Sequence, residues 1–194
     1  MFLQKTIDND YQPPSRLDSG RRNFLKAGIG VCAIMTLPSV CAKTIRMGEK
    51  QLAFLNLHTG ERTRSTYWVD GNYVPEELQV IENLLRDHRT GELHAIDTRL
   101  LDILQLLHRR LGARKEFHVI SAYRSPKTNA MLAARSSKVV RKSLHMQGKA
   151  IDICLPECSL SNLRKAALSL KIGGVGYYPK SNFVHIDTGR VRFW

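Results

Sequence analysis

The sequence predicts an α+β domain, a small antiparallel sheet flanked by about four helices. Three observations predict it. Strand-like alternation and helix-like periodicity occur in separate runs, where a doubly wound parallel sheet would alternate them strictly. The strand-like runs are joined by hairpin turns such as Asp70-Gly71-Asn72. Each helix-like run opens on a recognisable start: Pro75, Asp97, Pro126 or Ser159.

In chain order, Gln51 to Leu57 alternates and ends at the turn His58-Thr59-Gly60-Glu61. Arg64 to Val69 resumes as a strand, which completes an N-terminal hairpin. Pro75-Glu76-Glu77 opens a helix expected to reach about His88, with Leu78, Ile81, Leu84 and Leu85 on one face. Asp97 caps a second helix from Leu100 to Leu111, which Gly112 ends. Phe117 to Ala122 is a short apolar strand that delivers Tyr123-Arg124-Ser125, and Pro126 starts a third helix to about Ala134. After a basic loop, Arg135 to Lys142, Ala150 to Leu155 reads as a strand. Ser159 leads into a fourth helix ending near Gly173-Gly174, and Val175 to Tyr178 and Phe183 to Asp187 are the last strands.

Residues 1–42 read as an address. Arg21-Arg22-Asn23-Phe24-Leu25-Lys26 precedes a mildly apolar stretch, Ala27 to Val40, and a small-residue exit at Val40-Cys41-Ala42. That is a twin-arginine export signal, handled by the twin-arginine machinery, and it predicts a periplasmic domain at 43–194. The stretch is short, Gly-rich and interrupted by Pro38, so no stable membrane insertion is expected after cleavage. An uncleaved N-terminal anchor is the alternative.

Net charge is +13 for the 194 residues. Without residues 1–42 there remain 25 Lys and Arg against 14 Asp and Glu, or +11. Such a surface attracts polyanions, among them nucleic acid, anionic lipid and acidic wall polymer. The basic residues are scattered with no aromatic-interleaved stripe, and a nucleic-acid partner also conflicts with export. Of four cysteines, Cys154 and Cys158 belong to the exported part, either as a short-loop disulfide or as buried thiols.

Candidate chemistry starts at Asp152, a carboxylate between Ile151 and Ile153 in a strand. Strand alternation sends the isoleucines to the core and Asp152 to the other face, where it needs a partner. The pattern repeats at Val184-His185-Ile186-Asp187, where His185 and Asp187 share the face away from the core. His145 lies seven residues before Asp152, with Gly148 permitting a tight turn between them. His145, Asp152 and His185 therefore supply the three N and O ligands of a catalytic Zn2+ site that keeps a fourth place for water.

Ser143-Leu-His145-Met-Gln-Gly148-Lys-Ala150-Ile-Asp152 resembles the Ser-x-His-x-x-Gly-x-Ala-x-Asp motif of the LAS zinc peptidases, a group spanning lysostaphin-type enzymes, D-Ala-D-Ala peptidases and hedgehog-like domains. More closely, residues 55–61, 121–125, 173–179 and 181–189 resemble the YcbK-type murein endopeptidases. The resemblance covers residues 50–194. It implies a hedgehog/D-Ala-D-Ala peptidase-like fold, zinc ligation by His145, Asp152 and His185, and hydrolysis of peptidoglycan cross-links, with meso-diaminopimelate 3-3 links favoured. A D,D-endopeptidase, carboxypeptidase or dipeptidase is the enzymatic alternative, and a non-catalytic wall-binding module the other.

The same resemblance implies that Arg124 holds a substrate carboxylate or stabilises the oxyanion, that Ser143 orients a ligand or substrate, and that Tyr177 and Tyr178 line the cleft. Many relatives carry an acid or a histidine shortly before the last ligand as general base. Here those positions are Asn182 and Phe183, which leaves Asp187 either as the catalytic base or as the partner that orients a ligand imidazole.

Overall fold

The computed structural model describes residues 48–194 except Ser137 and Lys138. Residues 1–42, read above as a twin-arginine signal, lie outside the described residues. No helix among those described is long and apolar enough to cross a membrane.

Among the described residues, eight strands form one sheet: β1 (Glu49–Asn56), β2 (Arg62–Val69), β3 (Asn72–Tyr73), β4 (Phe117–Ser121), β5 (Ala150–Cys154), β6 (Gly174–Tyr178), β7 (Phe183–Asp187) and β8 (Arg192–Phe193), in the order β3-β2-β1-β4-β5-β7-β6-β8. The fold class is α+β as expected, but the sheet is larger than the expected small one and is mixed. β1 and β4 run parallel, and the crossover that such a pair needs is made by β2, β3 and two helices. β8 pairs parallel with β6. β3 and β8 are two-residue strands, too short for any sequence period to mark them.

The helices are α1 (Pro75–Leu84), α2 (Thr98–Arg110), α3 (Pro126–Arg135) and α4 (Leu160–Leu170). In α2, Leu100, Leu101, Ile103, Leu104 and Leu107 form one buried stripe. Its cap is the expected Asp97, whose side chain accepts from Arg99 N. α1 ends earlier than expected, at Leu84. Beyond it the backbone carbonyl of Leu85 accepts from Tyr123 N, and the Asp87 carboxylate accepts from Ser125 N at 2.9 Å. A continuing helix would withdraw both groups from the segment that carries Arg124.

Register places the chemistry. Ile153 pairs with Val119 and Val184, and Ile151 with Ile186. These residues are fully or almost fully buried and join Phe54, Phe117 and the α2 leucines in one core. Each such side chain contributes about 1.5–3 kcal/mol of burial. On the opposite face Asp152 pairs with His185, and Ala150 with Asp187. The core therefore fixes the register, and a one-residue slip would turn the polar row into the apolar core.

Candidate metal centre

His145 sits on a single 3-10 turn, Leu144–Gln147, capped by Ser143, whose Oγ accepts from His145 N. Gly148 closes the turn with φ 63°, and a Cβ there would collide with the Ala95 carbonyl. His145 Nδ1 donates to Ala122 O at 2.6 Å, so Nε2 presents its lone pair inward. His185 has the opposite arrangement: Nε2 donates to Asp187 Oδ2 at 2.9 Å and Nδ1 faces inward. The two inward nitrogens are 3.2 Å apart, and Asp152 Oδ1 lies 2.8 Å from His185 Nδ1 and 3.4 Å from His145 Nε2.

A tetrahedral zinc with bonds of about 2.1 Å needs ligand atoms about 3.4 Å apart, so this spacing fits one ion. The donor chemistry fits as well. Two imidazole nitrogens and a carboxylate oxygen converge on one point, all from buried residues, and such a cluster attracts positive charge, whether a proton or a metal ion. Burial pushes His185 down, but the carboxylates of Asp152 and Asp187 outweigh it and hold its pKa above the ordinary imidazole value. Burial pushes Asp152 up, and the two histidines outweigh that and hold its carboxyl well below the usual range.

The site opens into a cleft of about 790 Å³. Arg124 lies at its floor, 9% exposed, with Nη2 3.8 Å from Asp152 Oδ2. Its bonds are long, 3.3 Å to Asn129 Oδ1 and 3.4 Å to Ser121 Oγ, and its buried Nε has no protein partner. A buried guanidinium held this loosely has donors to spare for an anion.

Asp187 is fully buried and saturated. Oδ1 accepts from Gly174 N, Gly189 N and Arg192 Nη1, and Oδ2 from His185 Nε2 and Arg192 Nη2, all between 2.7 and 3.1 Å. Among the described residues, Asp152 is the only carboxylate lining the cleft.

Ser143, Tyr177 and Tyr178 border the cleft, and the two tyrosines differ. Tyr177 packs against the core with the Arg164 guanidinium over its ring at 5.0 Å. Tyr178 stacks on Phe183 and accepts from Trp194 Nε1 at 2.7 Å. Asn182 and Phe183 bring no acid or base to the site. Cys154 and Cys158 are both free thiols, so the disulfide alternative is not realised here.

Sequence reasoning missed four residues that build the site. Trp194 packs its ring 5.2 Å from His185, over a glycine, Gly176, whose Cβ would lie 2.7 Å from the indole. Arg192 grips Asp187, Asp87 anchors the Arg124 segment, and Asn129 contacts Arg124 itself. The Arg-Phe-Trp ending and the asparagine five residues after Arg124 were visible, but no spacing rule connects them to the ligands.

Residues 44–194 match the family described as peptidoglycan L,D-endopeptidase MepK. Peptidoglycan L,D-endopeptidase MepK of Escherichia coli is 43% identical over 180 residues, which are 92% of this chain and 99% of that protein. The protein of the same name in Shigella flexneri is equally similar. The probable peptidoglycan L,D-endopeptidase MepK of Haemophilus influenzae is 39% identical over 180 residues, 92% of this chain and 97% of that one. No solved structure matches the chain.

Proposed function

This chain belongs to the peptidoglycan L,D-endopeptidase MepK family, and from that premise we propose a periplasmic zinc enzyme that hydrolyses the 3-3 peptide cross-links of peptidoglycan between meso-diaminopimelate residues. That it is an endopeptidase of peptidoglycan cross-links follows from its family. The metal, the scissile bond and the export route are our reading. The fold is read as the D-Ala-D-Ala peptidase and hedgehog kind.

One observation carries the metal assignment: His145 Nε2, Asp152 Oδ1 and His185 Nδ1 converge at the floor of an open cleft. Zinc, when bound by these three, supplies Lewis acidity that polarises an amide carbonyl and lowers the pKa of water. The protein's own residues do the rest. Arg124, whose Nη1 and Nη2 make only long bonds and keep N–H groups to spare, offers them to a substrate carboxylate or to the developing oxyanion. Ser143 holds the His145 turn, and Tyr178 forms a wall of the cleft. Of the two roles open to Asp187, the five bonds it accepts favour orienting His185 over taking a proton from substrate water.

For location, we read Arg21-Arg22 and residues 23–42 as a twin-arginine signal that delivers the folded domain to the periplasm. Replacing both arginines by lysine should leave the protein in the cytoplasmic fraction; unchanged export would remove that route.

The function is tested by incubating the zinc-loaded domain with purified sacculi and with defined 3-3 and 4-3 linked muropeptide dimers, then separating the products by chromatography. Wild type should convert 3-3 dimers to monomers and leave 4-3 dimers intact, and His145→Ala should cleave neither. Identical profiles for the two proteins would overturn the enzymatic reading. Cleavage of 4-3 dimers alone would replace the scissile bond.

A further inference from the structure

Asn129, on α3, is 2% exposed and uses its amide in two directions. Oδ1 accepts from Arg124 Nη1 at 3.3 Å. Nδ2 donates to the backbone carbonyls of Val140 at 3.2 Å and Arg141 at 3.1 Å. A carbonyl can only accept and a guanidinium can only donate, so the amide cannot be turned round without losing all three bonds. Val139, Val140 and Lys142 line the same cleft as Arg124, Tyr177 and Tyr178.

We propose that Asn129 is a positioning residue for substrate, tying the floor arginine Arg124 to the cleft rim at Val139–Lys142 so that both meet the substrate in fixed relation. The proposal rests on the peptidase reading above for what enters the cleft, but not for the tie itself. Asn129 touches neither His145, Asp152 nor His185 by any hydrogen bond, so its loss should not release a metal. Val140 and Arg141 are exposed, and the Asn129 bonds tie their backbone to a buried anchor. The second device acts on Arg124, whose remaining contacts are the 3.4 Å bond to Ser121 and the distant Asp152. Without Asn129 the guanidinium keeps its charge and loses its nearest fixed acceptor. Substrate capture should suffer more than turnover, because the ligands that carry out the reaction are untouched.

The test uses Asn129→Ala, Asn129→Asp and Arg124→Ala, alone and combined, with two readouts. The first is steady-state hydrolysis of a cross-linked muropeptide. Asn129→Ala should raise KM about tenfold or more, with kcat within about threefold of wild type and zinc content unchanged. Because Asn129 acts through Arg124, the Arg124→Ala/Asn129→Ala pair should be clearly non-additive in KM, which a merely structural role would not produce. The second readout, tryptic cleavage after Arg141 and Lys142, needs no turnover. Asn129→Ala and Asn129→Asp should both be cut several-fold faster there, since aspartate keeps an acceptor for Arg124 but cannot donate to the rim. Wild-type KM with a wild-type tryptic rate in Asn129→Ala would overturn the proposal, as would fully additive KM effects. Should wild type itself hydrolyse nothing, the function fails while the tryptic result still decides the tie. If the alanine variant does not fold, the aspartate variant carries both measurements.

Discussion

Asp187 Oδ2 accepts the Nε2 proton of His185 at 2.9 Å, and that bond selects Nδ1 as the nitrogen His185 turns toward the cleft. His145, held by the Ala122 carbonyl at Nδ1, presents Nε2 instead. The two imidazoles thus need opposite tautomers, and each is set by an oxygen outside the metal cluster.

Asp187→Asn should therefore weaken zinc binding about 10–100-fold, as loss of such a partner typically does. Asparagine can still accept from His185 or from Gly174 and Gly189, but its NH2 then opposes the Arg192 guanidinium. Asp187→Ala should also cost about 1–3 kcal/mol of fold stability, because the buried Gly174 N–H loses its acceptor and the half-buried Arg192 its carboxylate. Competition with a zinc-binding dye gives the first number and denaturant unfolding the second. If Asp187→Asn retained zinc fully and lost turnover with a displaced pH limb, Asp187 would be the base after all.

Metal removal gives the second expectation. Three buried groups converge on one point, so an ion bound there stabilises only the folded chain. At free zinc a thousandfold above Kd the gain is about 4 kcal/mol, or about 10 °C in Tm for a domain of this size. Chelation should remove both that increment and hydrolysis, and added zinc should restore them together. His145→Ala should show the chelated Tm with or without zinc; a Tm that still rose with zinc in this variant would place the ion elsewhere.

Arg124→Ala should lower kcat/KM about a hundredfold, near 3 kcal/mol, while zinc content stays unchanged. Arg124→Lys should recover little of it, since a single ammonium cannot reproduce the planar fork at the same buried depth. Steady-state kinetics with metal analysis of the same samples decides the point. A variant within threefold of wild type would relegate Arg124 to a structural partner of Asp152 and Asn129.

Much of this site was legible because strands obey a period of two. Ile151 and Ile153 fix the face of Asp152, and Val184 and Ile186 fix the face of His185, so alternation marks two of the three candidate ligands, while His145, on a 3-10 turn, is marked by Gly148 and by the motif it shares with the zinc peptidases. The elements carrying them were readable for the same reason, down to the Asp97 cap of α2. Illegible were features set by distant pairing. The parallel partnership of β1 with β4 depends on where two helices return the chain. Asp187 could be placed beside His185 by alternation, yet its saturation comes from Arg192, Gly174 and Gly189, which only the folded sheet assembles. Asp87 looked like part of α1, and the end of that helix is set by what Arg124's segment needs.

Asp87 supplies the last expectation, through pH. It is 1% exposed; burial alone pushes its carboxyl up, but hydrogen bonds from Thr128, Arg89 and Ser125 outweigh that and hold it well below the usual carboxylate range. A depressed carboxyl contributes stability that is fully present above the unfolded pKa, near 4 for aspartate, and is lost as pH falls from there toward the folded value. Asp87→Asn cannot titrate, and at neutral pH it should be less stable by about 1–3 kcal/mol, because its NH2 faces a backbone N–H that had an acceptor. Other buried carboxylates such as Asp152 and Asp187 are common to both proteins, so the difference between the two isolates Asp87. Urea unfolding from pH 7 to pH 3 should show that difference constant above about pH 5 and shrinking below pH 4. A gap that stayed constant through pH 3 would mean that the Asp87 carboxylate does not anchor the Arg124 segment as an ion.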